Sequence, residues 1–212
     1  MIVKYEIRYK PASAALFITL EPGEHLVTAA GTLVSYTPEL RVTTQFAGGW
    51  LTALACHLGG RAAALYVNVV TNQSELPQQL VLSHLQLGDI EGLELRDPAQ
   101  LCFQPQAYLA STARIRLALR WAGFKSWLAG AGLVQLQVQG RGLVFFGGSG
   151  ILTRQQVQEQ LMVRGGQLVA YDPQLHLTVQ FPQGLKARAN AVNQLQGKGW
   201  VYLQSGRCLS NI

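Results

Sequence analysis

Residues 31–46 read GTLVSYTPELRVTTQF, and residues 166–181 read GQLVAYDPQLHLTVQF. Nine of the sixteen positions are identical: the Gly, Leu, Val, Tyr, Pro, Leu, Thr, Gln and Phe. The same offset of 135 carries Glu24 onto Glu159 and Leu26 onto Leu161. Similarity of a chain to itself at fixed spacing marks a fold built from copies of one unit. A more diverged third copy lies at an offset of 75, where residues 106–121 read QAYLASTARIRLALRW. It keeps Leu109, Ile115, Leu117 and Trp121 in apolar phase, while Leu101 falls on Leu26 and Leu93 and Leu95 fall on Ile18 and Leu20. Further out, Gly140-Arg141-Gly142-Leu143-Val144-Phe145 answers Gly197-Lys198-Gly199-Trp200-Val201-Tyr202.

The period inside each copy is two, as expected of half-buried strands. Val134 to Gln139 alternates apolar and amide residues without interruption, and Arg114, Arg116 and Arg120 alternate with Ile115, Leu117 and Leu119. Breaks fall at turn formers: Pro22-Gly23, Asp97-Pro98, Gly147-Gly148 and Asp172-Pro173. Leu51, Leu54 and Leu58 fit a helical face and stay undecided; Val157 and Leu161 fit one too, but the repeat register favours strand. Many short strands close as a sandwich or barrel. The expected fold is therefore all-β: one folded unit of three tandem β-sandwich modules, 1–73, 74–147 and 148–212, packed about a pseudo-threefold axis. Phe46, Trp121 and Phe181 hold one repeat position and are expected to be core anchors.

At 212 residues, 49% hydrophobic and 13% charged, the chain can bury a sizeable core, and no disordered tract is read. The net charge of +6 is unevenly spread. Residues 1–113 carry six Lys/Arg against nine Asp/Glu, and residues 114–212 carry eleven against two. Such polarity steers an anionic partner, pairs one copy with another, or simply keeps the protein soluble. Cys56, Cys102 and Cys208 have neither disulfide-framework nor metal-ligand spacing, so reduced thiols in a cytoplasmic compartment are expected. No apolar run approaches the ~18 residues of a membrane span. Lys4, Arg8 and Lys10 before Ala12–Leu20 imitate a signal peptide, but Glu6 and Pro11 interrupt it.

No motif for chemistry survives inspection. His25, His57, His84 and His176 have no partner at a metal-binding interval. Cys56 and His57 are adjacent, which on a strand points them to opposite faces. Gly147-Gly148-Ser149-Gly150 lacks the final glycine of a nucleophile elbow, and Gly140-x-Gly142 lacks the third glycine of a dinucleotide fingerprint. Asp172 before Pro173 reads as turn chemistry, and Glu24 and Glu159 as polar turn edges. No catalytic residue, cofactor or metal ligand is expected. The stripe of Arg114, Arg116 and Arg120 is the most suggestive polar feature. It suits an interface between copies or, with Trp121 or Trp127 as stacking surface, the phosphates of RNA.

Four stretches resemble the mitochondrial-biogenesis family first named for altered inheritance of mitochondria: residues 20–40 (LEPGEHLVTAAGTLVSYTPEL), 106–112 (QAYLAST), 139–150 (QGRGLVFFGGSG) and 168–175 (LVAYDPQL). The resemblance implies a fold like that of the tryptophan RNA-binding attenuation protein, with sandwich modules of the double-stranded β-helix class. It implies no activity. Gly59-Gly60-Arg61 stands where the family usually carries a Gly-Glu-Ser-like turn. The expected role is non-enzymatic assembly or binding as a homo-oligomer, with RNA or anion binding by the basic C-terminal half as the alternative.

Overall fold

The computed structural model describes residues 3–46, 66–96, 99–121, 134–181 and 191–206. Among them are nineteen strands and no α-helix, and no helix is long and apolar enough to cross a membrane. After β1 (Lys4–Arg8), the strands fall into three runs of six. The first is β2 (Ala15–Leu20), β3 (His25–Ala29), β4 (Leu33–Tyr36), β5 (Leu40–Phe46), β6 (Tyr66–Asn72) and β7 (Gln78–Ser83). The second is β8 (Gly88–Leu95), β9 (Gln100–Phe103), β10 (Tyr108–Thr112), β11 (Ile115–Trp121), β12 (Val134–Gly140) and β13 (Gly142–Ser149). The third is β14 (Leu152–Val157), β15 (Gln160–Arg164), β16 (Leu168–Tyr171), β17 (His176–Gln180), β18 (Val192–Gln196) and β19 (Gly199–Gln204). Val157 and Leu161 thus lie in strands; Leu51, Leu54 and Leu58 lie outside the described residues.

Strand pairing follows one rule in every run. The first and third strands pair antiparallel with the sixth, and the second and fourth pair with the fifth. The third strand of each run shifts register once, between Leu33 and Ser35, Tyr108 and Ala110, and Leu168 and Ala170. These bulges fall at the offsets of 75 and 135 seen in the sequence. The turns before the first and third of these bulges have a local cause. Gly31 and Gly166 sit at φ +83° and +82°, a region closed to most side chains. Beyond them Thr32 N–H donates to Ala29 and Gln167 N–H to Arg164, at 3.4 and 3.2 Å. The following turns match as well: Leu40 N–H donates to Thr37 and Leu175 N–H to Asp172, both at 3.0 Å.

Runs join edge to edge, β10 on β3 and β16 on β9. Four sheets result, ordered β1-β2-β7-β4, β5-β6-β3-β10-β13-β8, β11-β12-β9-β16-β19-β14 and β15-β18-β17. One apolar core fills each gap between successive sheets. Leu16, Ile18, Leu80 and Leu82 meet Leu26, Val70 and Phe145 in the first. Phe103, Val138 and Tyr202 meet Val144 and Phe146 in the second, with ring centroids 5.2 Å apart for Phe103–Phe146 and 5.0 Å for Phe146–Tyr202. Val157, Leu168, Tyr171 and Val201 meet Val163 and Leu195 in the third.

Three sequence expectations change here. The expected break between 73 and 74 falls between β6 and β7, and β7 pairs back with β2 and β4 of the stretch before that break. Phe181 is half-buried beyond the end of β17 and belongs to none of the three cores, so it is not a core anchor. The side chains of Phe46 and Trp121 lie outside what is described. Arg114 stands in the turn before β11, where the chain passes from the second sheet to the third between Thr112 and Ile115.

Candidate functional site

β11 is an edge strand of the third sheet, and its register with β12 sets Arg116 opposite Gln139, Ala118 opposite Gln137 and Arg120 opposite Gln135. One strand further in, Gln139 lies opposite Gln100 and Gln137 opposite Cys102. The period of two therefore gives this face a ladder of amides behind the arginines. Gln137 donates to Gln100 Oε1 at 2.5 Å, and the Tyr171 hydroxyl donates to Gln135 Oε1 at 2.7 Å. Arg114 and Arg116 are exposed; the Arg120 side chain lies outside what is described. Among the described residues neither Arg114 nor Arg116 makes an ion pair. Forked guanidinium donors beside neutral amides can hold a carboxylate or a phosphate. Burial of Tyr171 pushes its phenol well above the ordinary range, so it acts here as a neutral donor.

Charge is treated differently in the two halves. All the ion pairs among the described residues join groups between Lys4 and Arg96: Lys4–Glu21, Arg8–Glu6, Lys10 with Asp89 and Glu91, and Arg96–Glu94. Burial would lower the Lys10 ammonium, but the hydrogen bond from Lys10 to Glu91 and the charges of Glu91 and Asp89 outweigh it and hold it above its ordinary value. In the C-terminal half Arg154 finds aromatic faces instead, 3.8 Å from the Trp200 ring centroid and 5.8 Å from that of Tyr202. This stack is absent from the sequence reading. Its signal was the i, i+2 spacing of Trp200 and Tyr202, but the strand beside them is fixed only by β14 pairing with β19. Trp127 lies outside the described residues.

The motifs examined for chemistry have structural explanations. A Cβ on Gly147 would lie 2.8 Å from the His84 ring, and one on Gly148 would lie 2.7 Å from Leu152 Cδ2. The His84 ring fits that space, with Nε2 2.9 Å from the Gln106 carbonyl and Nδ1 accepting the Gln86 N–H at 3.2 Å. Ser149 N–H donates to Gln204 Oε1 at 2.9 Å, which holds the glycine segment against β19. Gly140 and Gly197 sit at φ +123° and +120° in the turns that link the fifth and sixth strands of their runs. Asp172 caps its turn by accepting the Trp200 N–H at 2.7 Å, and Glu24 accepts the Glu21 N–H at 2.9 Å. Glu24 is buried, whereas Glu159 is exposed. Cys102 is buried in the third core. No group of His, Cys, Asp and Glu among the described residues can hold a metal ion. Cys56, His57, Gly59-Gly60-Arg61 and Cys208 lie outside the described residues.

The fold is similar to the crystal structure of a Streptococcus pyogenes protein, with a TM-score of 0.78 over 97% of this chain and 94% of that one. At 19% identity the likeness is one of fold. No curated protein matches the chain. The family described as Mitochondrial biogenesis AIM24 matches residues 5–206, nearly the whole sequence. The chain belongs to the AIM24 mitochondrial biogenesis family.

Proposed function

We propose that this chain is a non-enzymatic β-sandwich protein whose work is to assemble with copies of itself. Its three runs of strands act as equivalent modules, 15–83, 88–149 and 152–204, each of the double-stranded β-helix class and arranged as in the tryptophan RNA-binding attenuation protein. The reading rests on the segregation of charge. In the acidic half Glu6, Glu21, Asp89, Glu91 and Glu94 pair with lysines and arginines of that same half, which still holds an excess of carboxylates, while Arg114 and Arg116 are exposed and make no ion pair among the described residues. A basic face of that kind stays soluble alone and gains affinity when a carboxylate of a neighbouring copy meets it. The compartment is a reducing one, the cytoplasm. Pseudo-threefold closure within one chain would require β4 to pair with β15.

A second reading is favoured by the Arg154–Trp200 stack and the arginine edge together: an RNA or anion surface combining guanidinium and aromatic groups. Replacing Arg114, Arg116 and Arg120 together with Gln separates the two. Assembly predicts a wild-type mass by light scattering that is a multiple of 23.1 kDa and falls in the triple variant. RNA binding predicts an unchanged mass and weaker retention on immobilised RNA. A wild type that is monomeric at every concentration contradicts the first reading.

A further inference from the structure

The chain makes one kind of joint twice. At β10 on β3, Ala110 faces Thr28 and Ser111 faces Val27; at β16 on β9, Ala170 faces Phe103 and Tyr171 faces Cys102. Shifting the first joint by the repeat offsets reproduces the second residue for residue. In each, the third strand of one run lies against the second strand of the run before. Two strands are left over. β4 is a third strand with no earlier run to meet, and β15 is a second strand with no later one; each forms an outer edge of its sheet.

Both carry side chains suited to burial. Val34 is 64% exposed, although its equivalents Leu109 and Val169 are 0% and 2% exposed. Tyr36 is 49% exposed, against 0% for Ser111 and 6% for Tyr171. On β15, Met162 is 48% exposed, and its equivalent Cys102 is 6% exposed. Edge strands ordinarily carry charges or distortions that discourage pairing. Leu33–Tyr36 carries no charge, and its bulge is no obstacle because β10 and β16 carry the same bulge and still pair. The two edges also belong to modules of opposite sign. Residues 15–83 hold two Lys/Arg and four Asp/Glu, a balance of −2; residues 152–204 hold five and two, a balance of +3.

We infer that β4 of one copy pairs antiparallel with β15 of a second copy, continuing the sheet from chain to chain. The joint is the one already made twice within the chain, in the register that sets Ser35 opposite Val163 and Tyr36 opposite Met162. The occupant is a second copy because β4 and β15 of one chain leave Val34, Tyr36 and Met162 uncovered. The contact is head-to-tail, so copies close into a ring where the rotation allows and extend into a filament where it does not. This inference rests on the assembly reading and names its contact.

Facing residues in an antiparallel pair have Cβ atoms about 4.5–5.5 Å apart, close enough for a disulfide after small adjustment. Tyr36→Cys and Met162→Cys are therefore placed in chains also carrying Cys56→Ser and Cys208→Ser. Both sites are exposed, and an unchanged melting temperature checks that the variants fold. On mild oxidation, the Tyr36→Cys chain mixed with the Met162→Cys chain should give a disulfide-linked dimer. The chain carrying both substitutions should give a ladder of multiples. A fast-migrating monomer with an internal disulfide would overturn the second-copy assignment in favour of closure within the chain. Oligomers by light scattering without any 36–162 link would sink the joint and leave assembly standing; monomers throughout would sink both.

Discussion

Leu33-Val34-Ser35-Tyr36 and Leu168-Val169-Ala170-Tyr171 differ at one position in four, form the same bulged strand, and follow the same glycine turn. Yet Val169 and Tyr171 are buried while Val34 and Tyr36 face solvent. The sixth strand of the run is present in both cases, β7 for one and β19 for the other. What differs is the other flank, where β9 covers β16 and β4 has no described neighbour. Local sequence therefore sets the strand and its bulge, and the adjoining module sets the burial. On the proposed joint, the edge of β4 left open among the described residues is completed by β15 of another copy.

The largest expected effect separates the two valines. Val169→Asp places a carboxylate among apolar neighbours with no hydrogen-bond partner, and a cost beyond about 4 kcal/mol is expected, enough to unfold a typical domain. Val34→Asp in dilute solution should leave the melting temperature nearly unchanged while lowering the assembled mass at high concentration. Equal destabilisation of the dilute protein by both substitutions would show that Val34 is already buried within its own chain, and the contrast would vanish.

A smaller effect is expected at alkaline pH. Burial raises the phenols of Tyr171 and Tyr108 above their ordinary value in the folded state, while the unfolded chain releases those protons near pH 10. Above about pH 10 the unfolded state therefore binds fewer protons than the native state, and stability falls as pH rises. Tyr171→Phe removes one such group. Its stability curve from urea unfolding should be shallower above pH 10, by up to about 1.4 kcal/mol per pH unit. An identical slope in wild type and variant would mean that Tyr171 is not shielded, contrary to its place beside β9.

Much of this was legible in the residues. The offsets of 75 and 135 located strands that pair by one rule, and period-two alternation placed β11 and β12 with their amide and arginine face. The family followed from four short stretches. What failed was non-local. The expected break at 73/74 falls just before β7, whose pairing with β2 and β4 reaches back across most of the first run, and similarity between copies does not reveal such pairing. The nine identities that ended on Phe46 and Phe181 implied a common buried anchor, yet Phe181 lies past its strand. Gly147-Gly148 read as a turn between strands, yet both lie within β13. They are explained by close approach of His84, Leu152 and Gln204, which only the packed structure brings together. The Arg154–Trp200 stack escaped notice for the same reason: cross-strand neighbours are invisible until register is known.

Hydrogen exchange of the backbone amides in β4 and β16, followed across protein concentration, tests the central claim most directly. Amides of Leu168–Tyr171 are covered on both flanks and should exchange slowly at every concentration. Those amides of Leu33–Tyr36 that point away from β7 should exchange fast in dilute protein. They should slow as concentration rises, together with amides on the outer flank of Gln160–Arg164. Exchange in β4 that stays fast at all concentrations, or that is already as slow as β16 in dilute monomer, would contradict a sheet continued from one copy to the next.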